Sequence, residues 1–438
     1  MDKDLKSKTF AELERLVVGL GQKKYIAGYI FGFIHTRGVT DISAITPLSK
    51  SFRSRLMEQD YYISKLEVIE KLTDPDGTVK YIFGLPDGKR TRLGEGTAQT
   101  TGRIDSPSRS RIESVLLFDD DRRTLCVSTQ AGCAMGCVFC ATGRGGLKRP
   151  AEFKEFPGPS PGNSPVEFKE FPGPSPRNPK GIPEGKGISQ GNLTAGEIVD
   201  QVNAVSEQRT ADPPRGEVSP KADSGQKRNE RCTPNAERCI NNVVFMGMGE
   251  PLVNYEAVLD AVRILNHPEG RKIGIRHITI STCGLPEGIE RLADEDIQPR
   301  LAISLNAPTD AIRQKLMPIA KKYSLDRLFR AVEVYQHKTH NRVTFEYCMI
   351  KGVNDTVLHA RMLVKRLRGV LCNVNLIEYN PPPRLLVEDK SGGDLRPSGQ
   401  DAIERFANTL SDAGLETTVR LKMGQTINAA CGQLGAVL

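Results

Sequence analysis

The chain has 438 residues, 38% of them hydrophobic and 26% charged, a composition typical of a globular protein of two or three domains. Its net charge of +8 is compatible with a polyanionic partner, but charge alone does not decide for nucleic acid. No run approaches the roughly 18 consecutive apolar residues of a membrane span, and the charged N-terminus lacks the apolar core of a signal peptide. We therefore expect a cytoplasmic chain whose ten cysteines stay reduced.

Residues 1–60 are expected to form a small helical accessory domain. Apolar residues recur at helical spacing from Phe10 to Leu20 and from Tyr25 to Ile34, and a third helix follows Pro47. Its exposed Lys and Arg residues are compatible with RNA phosphates and equally with a solvated face. Residues 61–122 are expected to be a β-rich extension, with strands at 62–72, 78–85 and 112–118 and a loop at 88–111.

Strand and helix patterns alternate in the remaining core, residues 123–434. Strands are expected at 124–129, 242–246, 277–282, 300–305, 343–350, 373–378 and 417–421. Helices are expected at 195–206, 255–265, 310–316, 325–335, 356–367 and 400–413. This βα order predicts an α/β fold, either a parallel sheet or an open barrel, with its site at the carboxyl ends of the strands.

Two low-complexity insertions interrupt the core, at about 148–192 and 207–238. The first contains a Pro- and Gly-rich decapeptide at 152–161 that is repeated almost at once, at 167–176. Such a composition cannot build a packed core, so both tracts are interpreted as looped-out excursions. Cys232 and Cys239, in and beside the second tract, are interpreted as ordinary loop thiols rather than a metal pair.

Three cysteines, Cys133, Cys137 and Cys140, lie in the spacing C-x3-C-x2-C directly after an apolar strand. Three soft thiolates this close suit zinc or an iron–sulfur cluster. Structural zinc usually takes a fourth ligand and two separated pairs, and no Cys or His follows closely. Three thiolates on a four-iron cluster would instead leave one iron open to a substrate. The spacing therefore predicts a metal centre.

Polar residues and glycines cluster at the ends of the other expected strands. They are Gly247, Gly249, Glu250, Ser281, Ser304, Asn306 and Asn380. The glycines allow close approach of the backbone to a ligand, and each polar residue alone is more often a cap or turn residue. Their common placement predicts one cavity. Taken alone, Cys126 and Cys431 are typical of buried structural thiols, and Glu113 is typical of an exposed charge.

Four motifs occur together and in order along the chain. They are Cys-x3-Cys-x-Phe-Cys at 133–140, Gly-Met-Gly-Glu-Pro-Leu at 247–252, Ile-Ser-Leu-Asn-Ala-Pro at 303–308 and Ala-Ala-Cys-Gly-Gln-Leu at 429–434. The combination resembles the radical S-adenosylmethionine (SAM) RNA methyltransferases, and most closely the adenine-C2 methyltransferases of 23S rRNA and tRNA in the RlmN/Cfr family. The resemblance covers residues 8–434 outside the insertions and implies a partial (β/α)6 TIM-like barrel.

The resemblance implies a cofactor and a substrate site. Cys133, Cys137 and Cys140 would hold a [4Fe–4S] cluster whose fourth iron binds SAM. The positions that match the family's SAM site are Gly249, Glu250, Ser281, Ser304, Leu305, Asn306 and Asn380. Asn306 stands where the family more often has His, so a weaker contact to SAM is expected there.

The resemblance also implies a thiol relay that consumes two SAM molecules per turnover. Cys431 would take a methyl group from one SAM, and a 5′-deoxyadenosyl radical from the second would remove a hydrogen from that methyl. The carbon radical would add to adenine C2, and Cys126 would resolve the protein–RNA crosslink as a disulfide. Glu113 matches the position assigned to proton transfer.

The implied partners are 23S rRNA, tRNA and an electron donor such as a flavodoxin or ferredoxin, with the chain itself a monomer. One alternative is the related C8 methyltransferase, which uses the same cysteines; Pro251 in the glycine motif favours C2. A second alternative is a non-catalytic iron–sulfur RNA-binding protein. Cys126 and Cys431 argue against it, because a binding module has no use for either thiol.

Overall fold

The computed structural model describes residues 2–85, 110–119, 121–146, 191–211, 240–382, 395–420 and 422–435. Most of the loop expected at 88–111, nearly all of the first insertion with its repeat, most of the second insertion, and Cys232 and Cys239 lie outside these described residues. No helix in the described ranges is long and apolar enough to cross a bilayer.

Ten strands form one sheet whose spatial order follows the chain from β1 to β10. The strands are β1 (Glu67–Thr73), β2 (Val79–Gly84), β3 (Arg111–Asp119), β4 (Arg122–Cys126), β5 (Asn242–Phe245), β6 (Ile278–Thr282), β7 (Arg300–Ser304), β8 (Val343–Met349), β9 (Cys372–Glu378) and β10 (Glu416–Val419). β1 to β4 pair antiparallel, and β4 to β10 pair parallel. The β-rich extension therefore continues the sheet of the core at β4.

Eleven helices of the described residues accompany this sheet. They are α1 (Phe10–Gly19), α2 (Ile26–His35), α3 (Lys50–Glu58), α4 (Ala141–Gly145), α5 (Ala195–Ala211), α6 (Tyr255–Asn266), α7 (Pro286–Leu292), α8 (Asp310–Leu316), α9 (Leu325–Thr339), α10 (Val357–Leu367) and α11 (Gln400–Asp412). Helices follow each of the six parallel strands from β4 to β9, which confirms the predicted α/β fold with a partial (β/α)6 barrel. Such connections keep the helices on one face and leave the strand ends for a site.

Several expected elements differ from the observed ones. The strand expected from residue 62 begins at Glu67, because the preceding residues bond instead to the N-terminal segment, where the N–H of Leu5 donates to Tyr62 O. The strand expected to reach residue 129 ends at Cys126, and the next residues bond to the loop after β5. α4 and α7, of five and seven residues, were not predicted; such short helices carry little periodicity. α5 continues past residue 207 to Ala211.

The N-terminal helices pack directly on the core. α1 begins with a capping box in which Thr9 and Glu12 satisfy each other's backbone N–H groups. Phe10 stacks on His267 at 4.2 Å between ring centroids. The buried Lys6 ammonium pairs with Asp200 of α5. Apolar, aromatic and ionic contacts thus join this region to the barrel.

The residues after β10 return across the sheet to its opposite edge. In this C-terminal loop (residues 422–435), the N–H of Gly424 donates to Asp76 Oδ2 over 2.7 Å, and the N–H of Thr426 donates to Asp74 Oδ2 over 2.9 Å. Both aspartates belong to the turn between β1 and β2. The loop that carries Cys431 is therefore anchored to the β-rich extension.

Candidate active site

The three predicted metal-binding cysteines lie in one loop between β4 and α4. The N–H of Cys140 donates to Cys137 O over 3.1 Å, and the N–H of Cys133 donates to Gly146 O over 3.0 Å. Gly136, with φ 66°, supplies the left-handed residue that the tight return needs. Cys133 and Cys137 are buried, whereas Cys140 is partly exposed. The loop thus carries three thiols, none of them in a disulfide.

The chemistry of these thiols fits an iron–sulfur cluster. Burial raises the pKa of Cys133 to about 12 and also raises the pKa of Cys137, and the neighbouring Cys140 adds to both shifts. A bound metal centre opposes such shifts because its positive charge stabilises thiolates. Within the described ranges, no three His, Cys, Asp or Glu side chains converge as ligands of a single metal ion. In a four-iron cluster each thiolate binds a different iron, so its sulfurs need not converge.

The glycine motif after β5 packs against the chain itself. A Cβ at Gly247 would lie 2.7 Å from Val127 O, and one at Gly249, with φ 104°, would lie 2.6 Å from Gln130 Cβ. From the sequence, we expected these glycines to let a ligand approach. In the structure, the chain after β4 approaches them instead and leaves no room for a side chain. The Gly249 backbone nevertheless lines the cavity described below.

Glu250 follows these glycines and is held rigidly. Its Oε2 accepts the N–H of Cys283 over 2.7 Å, and its Oε1 accepts the N–H of Leu252 over 3.1 Å. Its own N–H donates to Gln130 Oε1 over 2.8 Å. Burial raises the pKa of Glu250, while the hydrogen bonds from Cys283 and its neighbours oppose that rise. The carboxylate is therefore fixed in one orientation.

A cavity at the carboxyl ends of the parallel strands brings together five residues that the sequence singled out, Gly247, Gly249, Glu250, Ser281 and Cys431. They come from the segments after β5, from β6 and from the C-terminal loop. The predicted convergence of strand ends is thus present for the first four. Cys431 is the one that the sequence separates most from the others.

Cys126 and Cys431 are close enough to interact electrostatically. Cys126, the last residue of β4, is 8% exposed; burial raises its pKa to about 12 and the nearby Cys431 adds to the shift. Cys431 is an exposed residue, yet burial of its thiol raises the pKa of that group. The Arg420 guanidinium, which lines the same cavity, opposes that rise. The two thiols of the expected relay therefore lie close enough for the charge state of one to affect the pKa of the other.

Glu113 lies in β3 and is completely buried, not exposed as its residue type alone suggested. Its Oε2 pairs with Lys80 Nζ at 3.3 Å and accepts the N–H of Gly435 over 3.1 Å. Its Oε1 is buried without a hydrogen-bond partner. A buried carboxylate oxygen without a partner is costly, and such groups often mark functional sites.

The other four predicted SAM-site residues are not among the described residues that line this cavity. They are Ser304, Leu305, Asn306 and Asn380. Ser304 pairs in register with Glu346, which does line the cavity. Asn380 Nδ2 lies 3.5 Å from Cys431 O and so contacts the C-terminal loop.

Asn306 makes contacts that support the barrel. Its Oδ1 accepts the N–H of Cys348 over 2.8 Å, and its Nδ2 lies 3.4 Å from Met317 Sδ. Its carbonyl accepts Asn354 Nδ2 over 2.8 Å. The residue is 2% exposed and has φ 57°, a left-handed conformation that Asn tolerates better than most residues. Asn at this position is thus explained by backbone geometry and by its link to β8.

The sequence did not single out three charged residues that the structure places at the site. Glu346 and Arg420 line the cavity, and Lys80 pairs with Glu113. Glu346 and Lys80 are the only charged residues of β8 and β2. A lone charge within an apolar strand was the available signal, because burying it requires a partner.

The fold and the site define the chain as a radical SAM enzyme. The model of the Radical SAM superfamily matches residues 230–362, a range that begins after the cysteine loop. The model of the ribosomal RNA large subunit methyltransferase N-terminal domain matches residues 3–61, which contain α1 to α3.

Relatives extend over nearly the whole chain. The chain is 37% identical over 432 residues to a probable dual-specificity RNA methyltransferase RlmN of Alkaliphilus oremlandii, covering 98% of this chain and 97% of that protein. It is 35% identical to the protein of the same name in Thermotoga maritima, covering 99% and 97%. A crystal structure of a radical SAM methyltransferase from Sphaerobacter thermophilus matches with a TM-score of 0.72 and 35% identity, covering 99% of both chains. The chain belongs to the RlmN family of dual-specificity RNA methyltransferases.

Proposed function

We propose that this chain methylates C2 of a specific adenosine in 23S rRNA and in tRNA, with SAM and a [4Fe–4S] cluster. The observation that carries the proposal is that Cys431 lines the same cavity as Glu250 and that Cys126 lies close enough to Cys431 to interact with it electrostatically. A methyltransferase that works by simple displacement needs neither thiol, and neither does a metal-binding RNA protein.

Cys133, Cys137 and Cys140 would hold the cluster, which when bound would supply the electron that cleaves SAM. Gly249, Glu250 and Ser281, which line the cavity, would contact SAM. The remaining residues proposed for this site are Ser304, Leu305, Asn306 and Asn380. The fixed Glu250 carboxylate suits an amino group, because its orientation is already set before binding.

Cys431 would act as the nucleophile that accepts the methyl group, a role that requires its thiolate. Cys126 would later attack the Cys431 sulfur, release the methylated base and leave a disulfide. Cellular thiols must reduce this disulfide to two free cysteines before the next turnover, which suits the reducing cytoplasm. Two SAM molecules would be consumed per cycle.

Glu113 would exchange a proton with the target base. Its Oε1 has no other partner, while Lys80 and the Gly435 N–H occupy Oε2. This division leaves one oxygen for proton transfer and uses the other to hold the carboxylate.

The target adenine must leave its stack to reach the cavity, so RNA loops are better substrates than duplexes. We propose that residues 1–60 contribute to RNA binding, with the chain acting as a monomer. A flavodoxin or ferredoxin would be the electron donor.

The test is nucleoside mass spectrometry of rRNA and tRNA from cells with and without this protein. We expect 2-methyladenosine that depends on the protein in both RNAs. The appearance of 8-methyladenosine would assign the chain to the C8 alternative. The absence of any methyladenosine that depends on the protein would contradict the proposal.

A further inference from the structure

A charged pair shares the cavity with Cys431. Glu346 extends from the middle of β8 and is 5% exposed, and Arg420 directly follows β10. Arg420 Nη2 lies 3.9 Å from Glu346 Oε1. Asn375 Nδ2 donates to the same oxygen over 3.1 Å, while Glu346 Oε2 is buried without a hydrogen-bond partner. A buried carboxylate in this state requires a nearby cation.

Arg420 is fixed by contacts on several sides. Its backbone N–H donates to Leu376 O over 2.9 Å, which extends the pairing of β10 with β9. Its Nη1 lies 3.9 Å from Met246 Sδ, and the residue lines the same cavity as Cys431, close enough for the two side chains to interact electrostatically. The guanidinium therefore lies between the end of β5, the interior of β8 and the C-terminal loop.

The chemistry of arginine suits this place better than that of other cations. Its guanidinium keeps its charge and carries five N–H donors in a rigid fork. One edge of the fork can remain with Glu346 while another holds the Cys431 sulfur. The backbone of the C-terminal loop also contacts the core here, since Gly432 O accepts the N–H of Ala141 over 2.7 Å and Cys431 O lies 3.5 Å from Asn380 Nδ2, but neither contact involves the Cys431 sulfur.

We propose that Arg420, oriented by Glu346, is a positioning residue that holds the Cys431 sulfur in the cavity for methyl transfer from SAM. This inference rests on the proposed function. In the step concerned, the Cys431 thiol gives its proton to water and its sulfur forms the new S–CH3 bond. The bond from that methyl group to the SAM sulfur breaks, and its electron pair remains on S-adenosylhomocysteine.

The test compares Arg420→Met, Arg420→Lys and Glu346→Gln in the holoenzyme, prepared without oxygen. Mass spectrometry of the peptide with Cys431 counts methyl groups acquired in the cells and deuterated methyl groups added from labelled SAM. Equilibrium dialysis measures SAM affinity separately. Arg327→Met is the matched control, because Arg327 is similarly exposed and pairs with Glu290 on the outer helices.

We expect Arg420→Met to slow methylation of Cys431 by about tenfold or more, with SAM affinity within about twofold of wild type. Arg420→Lys should restore part of the rate, and Glu346→Gln should slow it several-fold. The control should match wild type. A wild-type methylation rate in Arg420→Met would overturn the inference, as would an equal loss of rate and of SAM affinity. If Arg420→Met does not fold, unchanged rates in both other variants overturn it.

A second readout separates this inference from the proposed function. Iodoacetamide reacts with the unmethylated fraction of Cys431, and its rate depends on the reactivity of that sulfur and not on SAM. We expect Arg420→Met to change this rate about tenfold, and Arg327→Met to leave it unchanged. If wild-type protein never acquires a methyl group on Cys431, the proposed function fails. The alkylation rates still decide whether Arg420 controls that thiol.

Discussion

The N–H of Gly435 donates to Glu113 Oε2 over 3.1 Å, so a completely buried carboxylate of β3 anchors the end of the C-terminal loop. Lys80 Nζ contacts the same oxygen at 3.3 Å and lies 3.4 Å from Asn428 O. The β-rich extension therefore fixes both ends of the segment that contains Cys431. The position of the Cys431 thiol thus depends on strands outside the parallel barrel.

Lys80→Met should lower the free energy of unfolding by roughly 3–5 kcal/mol, because it leaves the Glu113 charge buried and unpaired. Chemical denaturation measures the change. Lys338→Met is the control: its pair with Asp294 is exposed, so the expected loss is below about 1 kcal/mol. Adding Glu113→Gln to Lys80→Met should recover part of the loss. Equal stability of Lys80→Met and wild type would contradict the importance of this pair.

Asp74→Ala should release the C-terminal loop from the turn between β1 and β2. Asp74 Oδ2 accepts both the N–H and the hydroxyl of Thr426, at 2.9 and 2.6 Å. We expect slower methylation of Cys431 and an unchanged iron content, since Asp74 bonds to Thr426 and not to the cysteine loop. Asp41→Ala serves as control, because that carboxylate caps a short turn near the N-terminus. Loss of iron in Asp74→Ala would show that the effect is not confined to the loop.

Cys137→Ala should abolish cluster binding. After anaerobic reconstitution, wild type should hold about four irons per chain and show the visible absorption of a [4Fe–4S] cluster. Cys283→Ser is the matched control, because Cys283 is also buried and close enough to Cys137 to affect its electrostatics, but lies outside the loop. Wild-type protein with stoichiometric zinc and no iron would rule out the radical mechanism.

Cys126→Ala should stop the relay at a covalent complex between Cys431 and RNA. No other described thiol is assigned to the attack that releases the base, so the crosslink should accumulate and survive a denaturing gel. Cys372→Ala, a buried thiol of β9, should turn over normally. Multiple turnover by Cys126→Ala without a crosslink would remove its resolving role.

His35 should make stability depend on pH. Burial, assisted by the positive charges of Lys6 and Arg271, lowers its pKa from 6.5 to about 3, and neither ring nitrogen has a hydrogen-bond partner. The unfolded chain thus binds a proton between these values that the native protein does not. The contribution of neutral His35 to the free energy of unfolding is complete above pH 6.5 and falls with pH below it. The loss between about pH 7.5 and about pH 5 is about 2 kcal/mol.

Denaturation of His35→Leu at the two pH values measures this contribution. The variant should lose about 2 kcal/mol less than wild type on acidification, since its side chain does not titrate. His277→Gln, which changes an exposed histidine, should behave like wild type. The same pH dependence in His35→Leu and wild type would contradict the argument.

Local sequence patterns determined the helices, the strands and the three-cysteine loop. Six of the seven parallel strands and six of the larger helices begin or end within a few residues of their expected bounds, because apolar periodicity reflects burial on one face. The C-x3-C-x2-C spacing placed three thiols in one loop for a different reason, which is that residues this close in sequence cannot lie far apart in space. The roles of distant residues such as Cys126, Cys431 and Glu113 came from the family resemblance.

Only the tertiary structure decided which distant charges meet. Lys80 and Glu113 pair across neighbouring strands, Glu346 meets Arg420, and the C-terminal loop returns to a turn about 350 residues earlier. No local pattern contains such pairings, because the low-dielectric interior determines their partners only after the sheet has formed. The sequence by itself determined where the thiols lie along the chain and, through the family resemblance, the chemistry expected of them. The closure of the chain determined which carboxylates and which guanidinium lie beside Cys431 and its loop.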